Sequence, residues 1–102
     1  MFEINGKSYI LKYNIDRVEM IENSIGMPTM SDLYSHKGML SLSALKAYLA
    51  HGLKEEGSDS FVPVKKGLEM AKTLIQNEGY TKTCGAVVEA LERDCPFFFQ
   101  GA

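Results

Sequence analysis

The stretch FEINGKSYILKY, running from Phe2 to Tyr13, decides how the rest of this sequence is read. Asn5-Gly6 is the dipeptide that a two-residue hairpin turn selects, because both residues tolerate positive φ. On one side of it Phe2 and Ile4 alternate with Glu3, and on the other Ser8 to Tyr13 is rich in β-forming side chains. The period of two puts Tyr9, Leu11 and Tyr13 on one face and Ile10 and Lys12 on the other. A lone hairpin is only marginally stable in water, so residues 2–13 must lay that face on something else.

The sequence downstream supplies helices. Asn14 is a good N-cap for a helix over residues 15–25, which Gly26 ends with Pro28 just beyond. Ile15, Val18, Ile21 and Ile25 make its apolar stripe, and Tyr13 with Val18 forms a hydrophobic staple. A short helical turn opens at Ser31-Asp32 and stops at Gly38. Ser41 caps a second long helix over residues 42–55, with Leu42, Leu45, Leu49 and Leu53 on its apolar face and Leu40 as a staple to Leu45. Gly52 inside that helix costs roughly 1 kcal/mol relative to alanine, which points to close packing there.

After the loop Gly57-Ser58-Asp59-Ser60, a third helix covers residues 62–78, with Pro63 in its first turn and Val64, Leu68, Ala71 and Ile75 on one face. Gly79-Tyr80 resembles a Schellman ending. A fourth helix spans residues 82–94, starting near Thr81 or Thr83 and burying Cys84, Val87, Val88 and Leu91. The expected fold is α+β and mostly helical: an N-terminal β-hairpin packed on a bundle of about four helices, in one domain over residues 1–102.

Composition agrees with that reading. The 102 residues are 45% hydrophobic and 24% charged, which separates the chain from disordered sequences. No run approaches the roughly 20 apolar residues of a membrane span, and MFEINGKSY lacks the basic start and apolar run of a signal peptide. The expected location is the cytoplasm. Net charge is −2, and the first 52 residues balance five acidic against five basic side chains. Nucleic-acid binding leaves a clustered basic footprint, and none is visible.

Cys84 and Cys95 would stand on one face of a helix about 16 Å apart, too far for a disulfide, and both read as small buried hydrophobes. His36 and His51 belong to no metal-spaced cluster and read as solvated or structurally satisfied side chains. Glu55-Glu56 and Glu89 with Glu92 read as exposed helix faces. No phosphate loop, nucleophile elbow or HExxH pattern occurs. The sequence therefore points away from an enzyme and implies no cofactor or metal.

Two apolar segments fall outside this account. Met27, Met30 and Met39, with Leu33 and Tyr34, concentrate half of the six methionines in one irregular stretch. Such residues either fill gaps in a core or form an adaptable binding surface. The chain then runs Pro96-Phe97-Phe98-Phe99 toward residue 102, an apolar tail that either folds back onto the bundle or meets a partner. Both segments are candidate partner-binding sites.

Taken in order, these features resemble the tail assembly chaperones of long-tailed bacteriophages and prophages, especially those of Gram-positive hosts. The likeness begins in FEINGKSYILKYNI, where that family commonly has a GK-x-Y-x-L-x-Y strand pair. It continues in DRVEMIENSIG, in LSALKAYLAHGLK, and in a last helix of VVEALER type. It covers nearly the whole chain and is carried by order and spacing, since each motif alone is degenerate. The resemblance implies a protein that binds the tape-measure protein, keeps its long helical chain in solution and brings tail-tube subunits to it. It also implies absence from the finished virion. The family often makes a longer product by programmed frameshifting, and Phe97-Phe98-Phe99 would be encoded by a uridine-rich run. As a hypothesis this run is a slippery site; codons that interrupt it, with no overlapping frame downstream, would exclude the idea.

Two other readings fit the scaffold. A minor structural tail or connector protein would be retained in purified particles, and a small helical regulator would shift DNA at low salt. Self-association fits all three.

Overall fold

Asn5 and Gly6 have φ of 52° and 80°, so the turn is the two-residue form with both positions left-handed. The computed structural model describes residues 2–35 and 37–99. His36 and residues 100–102, the end of the expected apolar tail, lie outside the described residues. Strand β1 (Phe2–Ile4) pairs antiparallel with β2 (Lys7–Leu11), in a register that sets Phe2 opposite Tyr9. Phe2, Tyr9, Leu11 and Tyr13 are all buried, on the face that the alternation predicts.

Helix α1 (Ile15–Ile25) begins at Asn14, whose Oδ1 accepts the Arg17 N–H at 2.8 Å, and ends at Gly26 with φ of 70°. Val18 and Ile21 are buried and Ile25 is half-buried, but Ile15 is 58% exposed. Ile15 lies roughly 90° around the helix from the middle of the Val18–Ile21–Ile25 stripe, at 100° per residue, which takes it off the core face. The short helix α2 (Thr29–Ser35) follows, longer than the single turn expected. Helix α3 (Leu42–Gly52) is capped by Ser41 Oγ, which accepts the Ala44 N–H at 3.1 Å.

The expected helix over residues 42–55 is three residues too long. Its last turn unwinds into β3 (Leu53–Glu55), which pairs with the free side of β2 so that Leu53 faces Leu11 and Glu55 faces Tyr9. The sheet is therefore three-stranded, in the order β1-β2-β3. Backbone donors on β2 need partners, and the chain leaving α3 passes close enough to provide them; this tertiary demand overrides the helix propensity of Lys54-Glu55-Glu56. The outer side of β3 is covered in turn, since Phe61 bridges to Lys54 and the Val62 N–H donates to Leu53 O at 3.0 Å.

Helix α4 (Val64–Glu78) starts two residues later than the pattern suggests, with Pro63 as its N-cap rather than in its first turn. Helix α5 (Tyr80–Asp94) starts two residues earlier, and neither Thr81 nor Thr83 caps it. The Thr83 hydroxyl instead donates back to Gly79 O at 2.9 Å. Gly79, with φ of 94° and ψ of 152°, breaks the chain between two helices in a positive-φ conformation open to glycine, and is not a Schellman turn. A 3₁₀ turn at Pro96–Phe98 follows α5. Cys84 and Cys95 are free, buried thiols on α5 and at its end.

The bundle turns around α3, whose C-terminal half is buried on all sides from Ala47 to Gly52. Helices α1, α4 and α5 and strand β2 all pack on it. Gly67 decides how α4 does so: a Cβ there would stand 2.7 Å from Ala50 O, so the two backbones nearly touch. That contact turns Gly67, Met70, Ala71 and Leu74 inward. Leu68, expected on the core stripe, is rotated to the edge and is 39% exposed. No helix among the described residues is long and apolar enough to cross a membrane.

Candidate protein-binding surface

The rotation of α4 opens a groove along the outer side of α3. One part is a cleft of about 500 Å³ whose apolar lining is Ile25, Met27, Ala44, Ala47 and Leu68. Hydroxyls of Ser24, Ser41 and Ser43 border it. A second cleft, of about 200 Å³, lies between Leu42 and Ile75, with Lys46, Lys72 and Gln76 around it. Lys46 lines both, so α3 runs along the groove as its shared wall. Leu42 is 58% exposed, Leu68 39% and Met27 36%. Leu42 was expected in the buried stripe with Leu45, Leu49 and Leu53, yet as the first residue of α3 it projects past the edge of the core.

Polar groups are buried beneath the first cleft. The Thr29 N–H donates to Glu22 Oε2 at 2.7 Å, and Thr29, Asp32 and the Tyr48 side chain are all buried. Burial pushes the Tyr48 phenol up to about 12, the Asp32 and Glu22 carboxylates add to the rise, and the nearby Thr29 hydroxyl works against it. The phenol is neutral at any physiological pH. His51 is buried under the other end of α3, with Nδ1 2.8 Å from Ala47 O, so it is a structurally satisfied histidine. Among the described residues, no three His, Cys, Asp or Glu side chains group as a set that could hold a metal ion. What the groove offers is methyl and thioether contact, a few hydroxyls, the Gln76 amide, the largely buried Asp32 carboxylate and two ammonium groups.

The side chains singled out in the sequence do not form one surface. Met27 lines the groove. Met30 is half-buried against the core, and Leu33 is itself a core residue, since the inner side of α2 turns it toward the bundle. Tyr34, at 76% exposed, and Met39, at 48%, project from α2 and the loop after it without lining the groove. Phe98 folds back and packs on the core, while Phe97 and Phe99 stay 46% and 41% exposed. Phe97 and the exposed Ile15 share a shallow second recess with Asp16, which has no lining residue in common with the groove.

Leu42 and Leu68 were missed because each completes an apolar stripe at helical spacing, and such stripes are ordinarily core. Gly67, one residue before Leu68, was the available signal: a glycine inside a helix often marks close backbone approach and so fixes which face turns inward. Comparisons with protein-family models, curated proteins and solved structures find no match to this chain.

Proposed function

We propose that this chain is a tail assembly chaperone of the long-tailed bacteriophage type, which holds segments of the helical tape-measure protein in the groove on α3 and helps bring tail-tube subunits to it. It acts in the cytoplasm of the bacterial host and is released before the virion is complete. The observation that carries this reading is the exposure of Leu42 on α3 and Leu68 on α4 along one groove, an arrangement suited to the apolar face of another helix. Covering Met27, Leu42 and Leu68 recovers roughly 1 kcal/mol each, given that they are already part-buried. Contact of that size is reversible, which suits a chaperone that must let its client go.

Co-expression with fragments of the tape-measure protein encoded beside it tests the reading. The fragment is expected to stay soluble and co-purify. Leu42→Ser with Leu68→Ser should abolish that effect while leaving stability within about 1 kcal/mol, because both side chains are already exposed to solvent. A fragment equally soluble with and without this protein would overturn the proposal. Deleting residues 96–102 in the same assay measures what the phenylalanine segment adds.

A further inference from the structure

The charges along the groove are of one sign where they reach solvent. Lys46 and Lys72 flank the cleft between Leu42 and Ile75. Among the described residues neither makes an ion pair, whereas Lys7, Lys12 and Lys82 are matched with Glu55, Asp94 and Glu78. The acidic residue lining the adjoining cleft is Asp32, which is only 3% exposed and so sits beneath the surface. This positive border belongs to a chain of net charge −2, so it is a local arrangement and not a reflection of overall composition.

From these observations, and resting on the reading of the groove as a protein-binding surface, we infer that the groove accepts an amphipathic helix whose apolar stripe is bordered by acidic residues. The apolar side chains Met27, Leu42, Leu68 and Ile75 take the stripe, and the lysine stems lie beside it with their ammonium groups at the rim. Lys46 stands on α3 and Lys72 on α4, so carboxylates on the two borders of the incoming stripe each meet an ammonium group. The part of α3 that lines the groove runs from Leu42 to Ala47, which matches a little under two turns of a partner helix, or roughly 9 Å. The groove is concave and suits a rod better than a flat anionic bilayer.

Two synthetic helices of about 18 residues, long enough to be partly helical alone, separate the possibilities by fluorescence anisotropy against the full chain. They share one leucine stripe; one is bordered by glutamate and the other by lysine. The acidic peptide is expected to bind at least about tenfold more tightly at about 50 mM salt, with the gap closing at about 300 mM as screening shortens. Lys46→Glu combined with Lys72→Glu should invert the preference, and circular dichroism checks that this variant folds. Equal affinity for the two peptides, or a preference that survives the charge reversal, would overturn the inference. So would lysine-dependent binding to phosphatidylglycerol vesicles with no preference between peptides. If Leu68→Ser weakens both peptides equally and no charge preference exists, the groove still binds protein and only the acidic border is wrong. If neither peptide binds, or Leu68→Ser changes nothing, the groove reading fails as well.

Discussion

The ring of Tyr13 occupies the space that a side chain at Gly52 would need: a Cβ there would stand 2.6 Å from Tyr13 Cζ and 2.7 Å from its hydroxyl oxygen. The phenol donates to Tyr48 O at 2.7 Å, and the neighbouring Lys12 N–H donates to Gly52 O at 2.9 Å. Burial, followed by the influence of Tyr48, Asp94 and Cys95, holds the Tyr13 phenol well above its ordinary range despite the opposing Arg93. It is a permanent donor, and it fixes the end of the hairpin to the end of α3. Gly52→Ala forces the ring out of its place. A loss of about 1–3 kcal/mol in chemical denaturation is expected, as for an overpacked core.

Gly67 and Gly85 make opposite predictions although both are helical. Alanine at 67 must push α4 away from the Ala50 carbonyl, so the midpoint of thermal unfolding should fall and the groove should change shape. Alanine at 85 meets nothing within 4 Å and replaces an exposed helical glycine, so it should stabilise by about 0.5–1 kcal/mol. Differential scanning calorimetry on the two variants reads both signs.

Asp94 ties the last turn of α5 to the segment between hairpin and α1. Its carboxylate accepts the Tyr13 N–H at 3.0 Å, Lys12 Nζ at 3.3 Å and two Arg93 nitrogens at 2.7 Å each, while Arg93 also donates to Leu11 O. Burial alone would raise the carboxyl, but the bonds from Arg93, Tyr13 and Lys12 outweigh it and hold the group below its usual value. A depressed folded pKa means the unfolded chain binds the extra proton. The stabilisation is therefore complete above about pH 5 and is lost as pH falls through the folded value. Asp94→Asn should cost about 1–3 kcal/mol at neutral pH. The gap between variant and parent should narrow in acid; a gap constant down to the acid transition would show that Asp94 titrates normally.

The three phenylalanines should separate in their effects. Phe98→Ser exposes core and should lower stability by about 1–2 kcal/mol, in proportion to the half-buried ring it removes. Phe97→Ser with Phe99→Ser should leave unfolding unchanged but reduce binding of an apolar dye and any concentration-dependent self-association, measured by sedimentation.

Much of this architecture is legible in the sequence because its signals are local. Asn5-Gly6, the Asn14 cap, Gly26 and the Ser41 cap act within a few residues of themselves, and each marks an observed boundary. The boundary at Gly52 was out of reach, because Leu53 to Glu55 become a strand only in the presence of β2, some forty residues earlier in the chain. Rotation of α4 fails for the same reason, since Leu68 and Met70 compete for the interior and the Gly67–Ala50 contact chooses between them. The groove is a product of that choice. Apolar periodicity tells that a helix has a face to bury; which degree of rotation the neighbours impose is a property of the assembled bundle.

The two buried thiols give the molecule an internal clock. Cys84 is 3% exposed and Cys95 not at all, and Cys95 stands where α5 gives way to the Phe98 segment. A thiol reagent reaches neither until the chain opens, so modification rates report opening events directly. Equal rates at the two sites would mean that the 3₁₀ segment and the body of α5 come apart together. Faster modification of Cys95 would mean that the phenylalanine turn lifts by itself and leaves the rest folded, which would make the end of this chain the part that is free to act first.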